Sequence, residues 1–340
     1  MKKKLVVITG GSGYIGSVLT PLIAENGFRV RVLDRFFFGE TIPPSSDVEL
    51  VKIDSRNIQR EHISDAYAVL DLAALSNDPT GELDPVKTMD INYRARRRLQ
   101  EISAELGVDR YILASSCSVY GFQNGVMYED SSTSPLTTYA HANLLSENAA
   151  MDLHRSGTDM AVVLFRQATM YGLSPRMRFD IALNGMTLGL WKNNIIPLLR
   201  DGSQWRPMVH IRDTSKAFLL ALTANKESIA GEHFNVGSNQ QNFQMFHLAE
   251  LVAKGVGKDF QYSFYGDPDT RSYQVNFDKI HNVLGFVPDW TPELGAKEIA
   301  DALEAGEVQP DIMTRTLAWY TELLQWESRI NRLSMDGRIL

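Results

Sequence analysis

The chain has 340 residues, enough for roughly two domains at about 150 residues each. Apolar residues make up 44% and charged residues 22%, which excludes a disordered chain, a collagen and a coiled coil. The net charge of −7 argues against a nonspecific nucleic-acid binder, and the single cysteine, Cys117, excludes an internal disulfide and a multi-cysteine zinc site. Met1–Lys4 followed by Leu5–Ile8 imitates the start of a signal peptide. The apolar run is too short, however, and glycines follow at once. No run of about 18 apolar residues is present to span a bilayer. A cytoplasmic chain with neither a membrane partner nor a metal is expected.

The first 170 residues alternate short apolar runs with helical patterns. Leu5–Thr9 reads as a strand ending in Gly10-Gly11, and Tyr14–Asn26 as a helix stopped by Gly27. Arg29–Leu33, Val48–Ile53, Ala68–Leu72, Arg110–Ala114 and Ala161–Phe165 read as further strands. Pro85–Leu106 and Tyr139–His154 read as helices between them. This alternation predicts an α/β fold: a Rossmann-type doubly wound parallel sheet with helices on both faces. The second half is less regular, with strands at Asn194–Leu199 and Glu232–Val236 and helices at Asp213–Ala224 and Phe246–Gly255. We expect a nucleotide-binding domain over residues 1–170, an interleaved, smaller α/β substrate domain over 171–310, and a helical tail over 311–340. The tail helix, Asp311–Ile330, places Trp319 and Trp326 on one face. Its expected role is to cap the substrate domain. The aromatic run Phe36-Phe37-Phe38 is expected to pack over the edge of a cofactor or at a subunit contact.

The clearest motif is Thr9-Gly10-Gly11-Ser12-Gly13-Tyr14-Ile15-Gly16, between the first strand and the first helix. Glycines there let the backbone approach a pyrophosphate, and the helix N-terminus offers free N–H groups. Asp34, at the end of the second strand, suits the adenosine ribose hydroxyls and favours NAD over NADP, although Arg35 beside it could receive a 2′-phosphate. Asp54, after the third strand, is placed either to accept from the adenine amino group or to cap its strand end. Further along, Tyr111–Gly121 ends a strand in hydroxyls, and Tyr139 heads a helix. A serine hydroxyl at Ser116 and a phenol at Tyr139 suit hydride transfer to or from a secondary alcohol. A phenol with an ordinary pKa near 10 needs a neighbouring cation to act near neutrality.

With these motifs the chain resembles the extended short-chain dehydrogenase/reductase family, the nucleotide-sugar epimerases and dehydratases. The resemblance runs from Lys4 to about Trp290. It includes Leu72-Ala73-Ala74, Asn92, Ser115–Gly121, Leu164-Phe165-Arg166, Tyr171-Gly172, Trp205–Asp213, Phe234–Gly237 and Asp278–Ile280. It implies NAD bound by Gly10, Gly13, Tyr14, Ile15, Gly16, Asp34, Arg35, Asp54, Leu72, Ala73, Ala74, Asn92, Ser115, Tyr139 and residue 143. It implies a nucleoside-diphosphate sugar as substrate, with Ser116 and Cys117 on the sugar side and Arg206 and Arg271 gripping the diphosphate. Arg176 and Arg178, in the basic loop Leu173–Phe179, face either the nucleotide or sugar, or solvent. Asn77, after the fourth strand, either touches the sugar or forms a turn. His210 and Asp213 read as structural. The resemblance also implies a homodimer through Pro85–Leu106 and Tyr139–His154.

Two departures matter. The family pattern is Tyr-x-x-x-Lys, and here Asn143 stands four residues after Tyr139, on the same helix face. Asparagine donates hydrogen bonds but carries no charge to stabilise a phenolate, so slowed hydride transfer is expected. His141 points away from that face and is no substitute. Dehydratases of the family keep carboxyls after the catalytic hydroxyl, whereas this chain has Cys117 and Ser118. That favours a 4-epimerase over a dehydratase. A nucleotide-sugar reductase or dehydrogenase and a catalytically silent NAD-binding protein are the alternatives.

Overall fold

The computed structural model describes residues 3–267 and 271–338. Met1, Lys2, Asp269, Thr270 and Leu340, which belong to segments read from the sequence, lie outside the described residues. Seven strands form one parallel sheet. In chain order they are β1 Leu5–Thr9, β2 Arg29–Asp34, β3 Val48–Lys52, β4 Ala66–Asp71, β5 Arg110–Ser116, β6 Ala161–Gln167 and β7 Glu232–Val236. Their spatial order is β7-β6-β5-β4-β1-β2-β3. The order reverses direction beside β1, between β4 and β2, so the crevice that binds ligands in such sheets opens above Thr9 and Asp71. The strands are nearly continuous apolar runs because both sheet faces are covered. One core cluster holds Val6, Ile8, Val32, Leu70, Ile112 and Phe165, and a second holds Val7, Leu33, Val69, Tyr111 and Leu164. Alternate residues of one strand thus face opposite layers.

The chain re-enters this sheet at β7, well past residue 170, so the parallel sheet draws on both halves of the sequence. From segments after β5, between β6 and β7, and beyond β7 it builds the second unit. A three-stranded sheet joins Thr169–Tyr171, Trp205–His210 and Asn242–Gln244. Ile196–Leu199 pairs with Tyr262–Tyr265, and Phe122–Met127 pairs with Ser272–Val275. Its separate core includes Tyr171, Leu183, Leu198, Met208, Leu248 and Ile299. The sequence reading missed most of these strands because they are three to six residues long and several are exposed.

Three helices position the site. The first, α1 (Gly16–Glu25), starts two residues later than the apolar spacing suggested, because Gly13–Ile15 form the loop above its N-terminus. The expected helix Pro85–Leu106 is a relay of α-helix Pro85–Met89, a wider π turn at Asp90–Ala95, and α2 (Arg96–Glu105). Asn92 lies within the π turn, with both ends of its amide bonded to the Leu75 backbone. Next comes α3 (Thr138–Arg155), capped by the Thr137 hydroxyl on the Ala140 N–H. It is pinned by the buried Glu147–Arg166 pair at 2.7 Å.

The C-terminal helix, α4 (Thr316–Leu333), begins later than expected; its first residue meets Arg176 and Asp180 of the second unit, and its next turn lies on the segment after β2. The Trp319 indole donates to the Phe37 carbonyl at 2.8 Å, and Tyr320 packs against the rings of Phe37 and Phe38. Lys87 pairs with Glu327 at 3.3 Å farther along. The aromatic run after β2 is therefore the seat of α4. Trp319 and Trp326 do share a face, their rings 5.5 Å apart edge to face. Among the described residues no helix is long and apolar enough to cross a membrane.

Candidate active site

The glycine loop lies at the carboxyl end of β1. Gly10 has φ of +67° and abuts β4's exit: a Cβ there would fall 2.9 Å from the Ala73 backbone. A Cβ at Gly16 would fall 2.5 Å from the Gly11 backbone. The loop is therefore as thin as a peptide can be, over the open N-terminus of α1. Asp34 accepts from the Ser12 and Phe36 N–H groups at 3.0 and 2.7 Å, and burial raises its carboxyl above the ordinary range. The Tyr14 phenol donates to the Gly172 carbonyl at 2.7 Å, and Ser174 donates to the Tyr14 carbonyl, tying the loop to the second unit. Leu72 and Ala73 donate to the Thr9 hydroxyl, and Ala74 continues the same loop.

Arg176 roofs this end. It is 5% exposed, its guanidinium stacks on Phe38 at 3.6 Å, and one nitrogen donates to Thr316 of α4 at 2.8 Å. Its Nε and Nη1 are buried without a hydrogen-bond partner among the described residues. Burial and the neighbouring Arg178 pull its pKa down to about 10. Two unpartnered N–H groups, with Asp34 and Tyr14 among the nearest charged or titratable groups, fit an anionic ligand held over the glycine loop. The diphosphate of a dinucleotide is such a ligand.

At the other end of the groove, Tyr139 lies in the first turn of α3. Burial and the Asp78 carboxylate push its phenol up; Arg96, Asn143 and Ser116 act against that. Ser116 accepts from the Ser118 N–H at 3.1 Å and so caps the short turn after β5. Asn143 is 1% exposed; its Oδ1 accepts from Arg96 Nη1 at 2.9 Å, and its Nδ2 is buried without a partner among the described residues. That orphaned donor fits a hydroxyl such as that of a nicotinamide ribose. Both ends of the groove thus hold donors that a bound NAD would satisfy.

Several residues expected to touch ligands are otherwise engaged. Cys117 is buried in the sheet core and its thiol meets the Arg166 carbonyl at 3.2 Å; burial raises its pKa far above that of a reactive thiol. Asn92 holds the loop at Leu75 instead of reaching the groove. Asn77 caps the short helix Asp78–Gly81 and donates to Asp180 at 3.3 Å, so its side chain serves the turn. Asp54 takes two bonds from the Arg56 guanidinium, one from the Arg56 N–H and one from Arg35, which hold its carboxyl down at about 2. Arg35 is thereby drawn to Asp54, and Ser115 donates to Glu147. Arg206 is buried and donates to the Trp205 and Arg271 carbonyls at 2.7 and 2.5 Å. Arg271 pairs with Asp78, which also accepts from Thr137. The two arginines therefore stand together near the tyrosine. His210 stacks on Trp290 and bonds Glu298, and Asp213 accepts from the Asp289 and Trp290 N–H groups; both are structural.

Two residues on the tyrosine side stand out from the geometry. Arg178 chelates Asp180 through two nitrogens and reaches Ser76 at 3.2 Å. Arg96 was hidden in the run Arg94-Ala95-Arg96-Arg97-Arg98, which reads as a solvated charged face. Its helical phase was the available signal: it lies four residues after Asn92 and three before Leu99, both buried. Among the described residues no group of three or more His, Cys, Asp or Glu is placed to hold a metal.

Comparison with known proteins agrees with this fold. The chain is 24% identical over 301 residues to a putative UDP-glucose 4-epimerase of Methanocaldococcus jannaschii, covering 86% of this chain and 95% of that one. A crystal structure of UDP-glucuronic acid 4-epimerase from Bacillus cereus, in complex with UDP-glucuronic acid and NAD, superposes with a TM-score of 0.78 at 22% identity. It covers 88% of this chain and 99% of its own. UDP-N-acetylglucosamine 4-epimerase from Methanobrevibacter ruminantium gives a TM-score of 0.81 at 20% identity, covering 90% and 100%. The sequence profile of the NAD dependent epimerase/dehydratase family matches residues 6–237. The chain belongs to the NAD dependent epimerase/dehydratase family.

Proposed function

We propose that this protein is an NAD-dependent 4-epimerase of a nucleoside-diphosphate sugar, with UDP-sugars the first candidates given the relatives it resembles. The observation that carries the reading is the Tyr139 pocket: a phenol, the Ser116 hydroxyl and an orphaned Asn143 donor meet, with no carboxyl at positions 117 and 118. The nearest acid, Asp78, is held by Arg271 and Thr137 and so is poorly placed to eliminate water. When bound, NAD supplies a hydride acceptor that later gives the hydride back. Tyr139 takes the proton of the sugar hydroxyl and returns it, and Ser116 holds the sugar oxygen during both transfers. Arg176 grips the cofactor diphosphate, and Arg206 and Arg271, which stand together beside Asp78, would exchange those contacts for the substrate diphosphate.

The roof of α4 and Arg176 over the groove favours a cofactor retained between turnovers, as an epimerase needs, over one exchanged each cycle, as a reductase needs. Denaturing the purified protein tests this. Release of about one NAD(H) per chain, with epimer formed from at least one UDP-sugar and no added cofactor, supports the epimerase. An empty protein that turns over only with added NAD(P)H sinks it in favour of a reductase.

A homodimer through Pro85–Leu106 and Tyr139–His154 belongs to the same reading. Among the described residues Val86 is the one exposed large apolar side chain in these two segments, and α2 presents Arg97 and Glu101 outward. The interface would be polar, so light scattering should show a dimer that loosens with salt.

A further inference from the structure

A phenol that burial has pushed up needs a positive charge close by before it gives up its proton near neutrality. Asn143, one turn along the helix, has none. The charges acting on Tyr139 are those of Asp78, Arg96 and Arg178; Glu82 bonds the adjacent Thr138, and Asp71 stands behind Arg96. Asp78 is held by Arg271 and Thr137. Arg178 is matched by a two-point contact with Asp180. Asp71, under the groove, is 1% exposed and accepts from the Thr9 and Tyr111 hydroxyls. Arg96 is 3% exposed, 3.7 Å from Asp71 through Nε, and bonds the Ala73 carbonyl and Asn143. Of the Arg96–Asp71 pair, Arg96 is the member turned toward α3 and acting on Tyr139.

The amide geometry follows from this. A guanidinium has only donors, so Asn143 must offer it Oδ1, and Nδ2 is left as a donor on the Tyr139 side of the groove. We propose that Arg96, reaching Asn143 from the neighbouring helix, supplies the positive charge on which Tyr139 depends, while Asn143 supplies the donor to the ligand. Charge and donor, which one lysine ammonium would combine, are divided between two side chains on two helices. Arg96 is a positioning residue: it acts on the phenol through space and on the ligand through the fixed Asn143 amide. The inference deepens the epimerase reading and rests on Tyr139 being its proton-transfer group.

Two consequences separate this from a merely structural arginine. Asn143→Lys alone, which the sequence pattern would present as a repair, puts a second cation against a buried guanidinium and should lower turnover and cofactor retention. The exchange Arg96→Met with Asn143→Lys keeps one buried cation and should restore both to within a few-fold of wild type, a coupling a double-mutant cycle reads directly. The Tyr139 ionisation is measured without substrate, by ultraviolet difference titration against Tyr139→Phe. Its midpoint should rise by about one pH unit or more in Arg96→Met, and stay near wild type in Arg96→Lys and in the double exchange. An unmoved midpoint in Arg96→Met, or a tenfold gain from Asn143→Lys alone, overturns the proposal. Should the midpoint move as expected while no nucleoside-diphosphate sugar is epimerised, the epimerase reading fails and the charge assignment stands.

Discussion

At the glycine-loop end of the groove the ligand-facing groups are largely main chain; at the tyrosine end they are side chains. The first end is shaped by Gly10 and Gly16, where an added Cβ would collide with backbone, and by Gly13, where it would be tight against the Gly10 carbonyl, so few other residues fit. The second is assembled from β5, α2, α3 and the loop after β6, and any of them can bring a charge within reach. Main-chain geometry is bound to sequence position, whereas a charge is bound only to a place in space. That is why one end keeps a recognisable motif and the other tolerates an asparagine at position 143.

Breaking the tyrosine end should have the largest effect. Tyr139→Phe should lower turnover by about 10²–10⁴-fold while NAD stays bound, since only proton transfer is removed; steady-state rates and cofactor content measured together check this. At the other end, Gly16→Ala forces backbone apart at a contact of 2.5 Å. It should destabilise the fold by about 1–3 kcal/mol and empty the cofactor site, read by denaturant melts and NAD content. Arg176→Met removes charged donors without disturbing the glycines. NAD release should quicken by about tenfold at unchanged fold stability, followed by stopped dilution into a NAD scavenger.

The smallest effect concerns Asp54, beside the adenosine end. Its carboxyl is held at about 2 by Arg56 and Arg35, below the unfolded value near 4. The stability it adds is therefore fully present above about pH 4 and lost as pH falls through about 2. Asp54→Asn should lower the melting temperature slightly at neutral pH, by less than about 1 kcal/mol equivalent, and converge with wild type in acid. A constant gap across pH would mean that the Asp54 carboxyl is not held below its unfolded value.

The same contrast explains what could be read from the sequence. The strands β1 to β6 and the glycine loop were legible because apolar runs and glycines are local signals. Tyr139 and Ser116 were legible as a pair because each sits at an element end. The second unit was not, because strands such as Phe122–Met127 pair across about 150 residues and carry no alternation of their own. The C-terminal helix was found, but its seat on Phe37 and Phe38 was not, since nothing local links residue 319 to residue 37. Arg96 escaped notice because its neighbours Arg97 and Arg98 are exposed and make the whole run look solvated. Conversely, Cys117 and Asn77 looked like site residues from their neighbours, yet their side chains turn into the core and the turn.

The account stands or falls on whether a hydride leaves the sugar and returns to the same carbon. Purified protein, without added cofactor, should be given UDP-sugars carrying deuterium at C4. The account predicts that the C4 epimer forms with its deuterium retained and no net NADH accumulates. An epimer that has lost its C4 deuterium, or a 4-keto product building up with stoichiometric NADH, would contradict it.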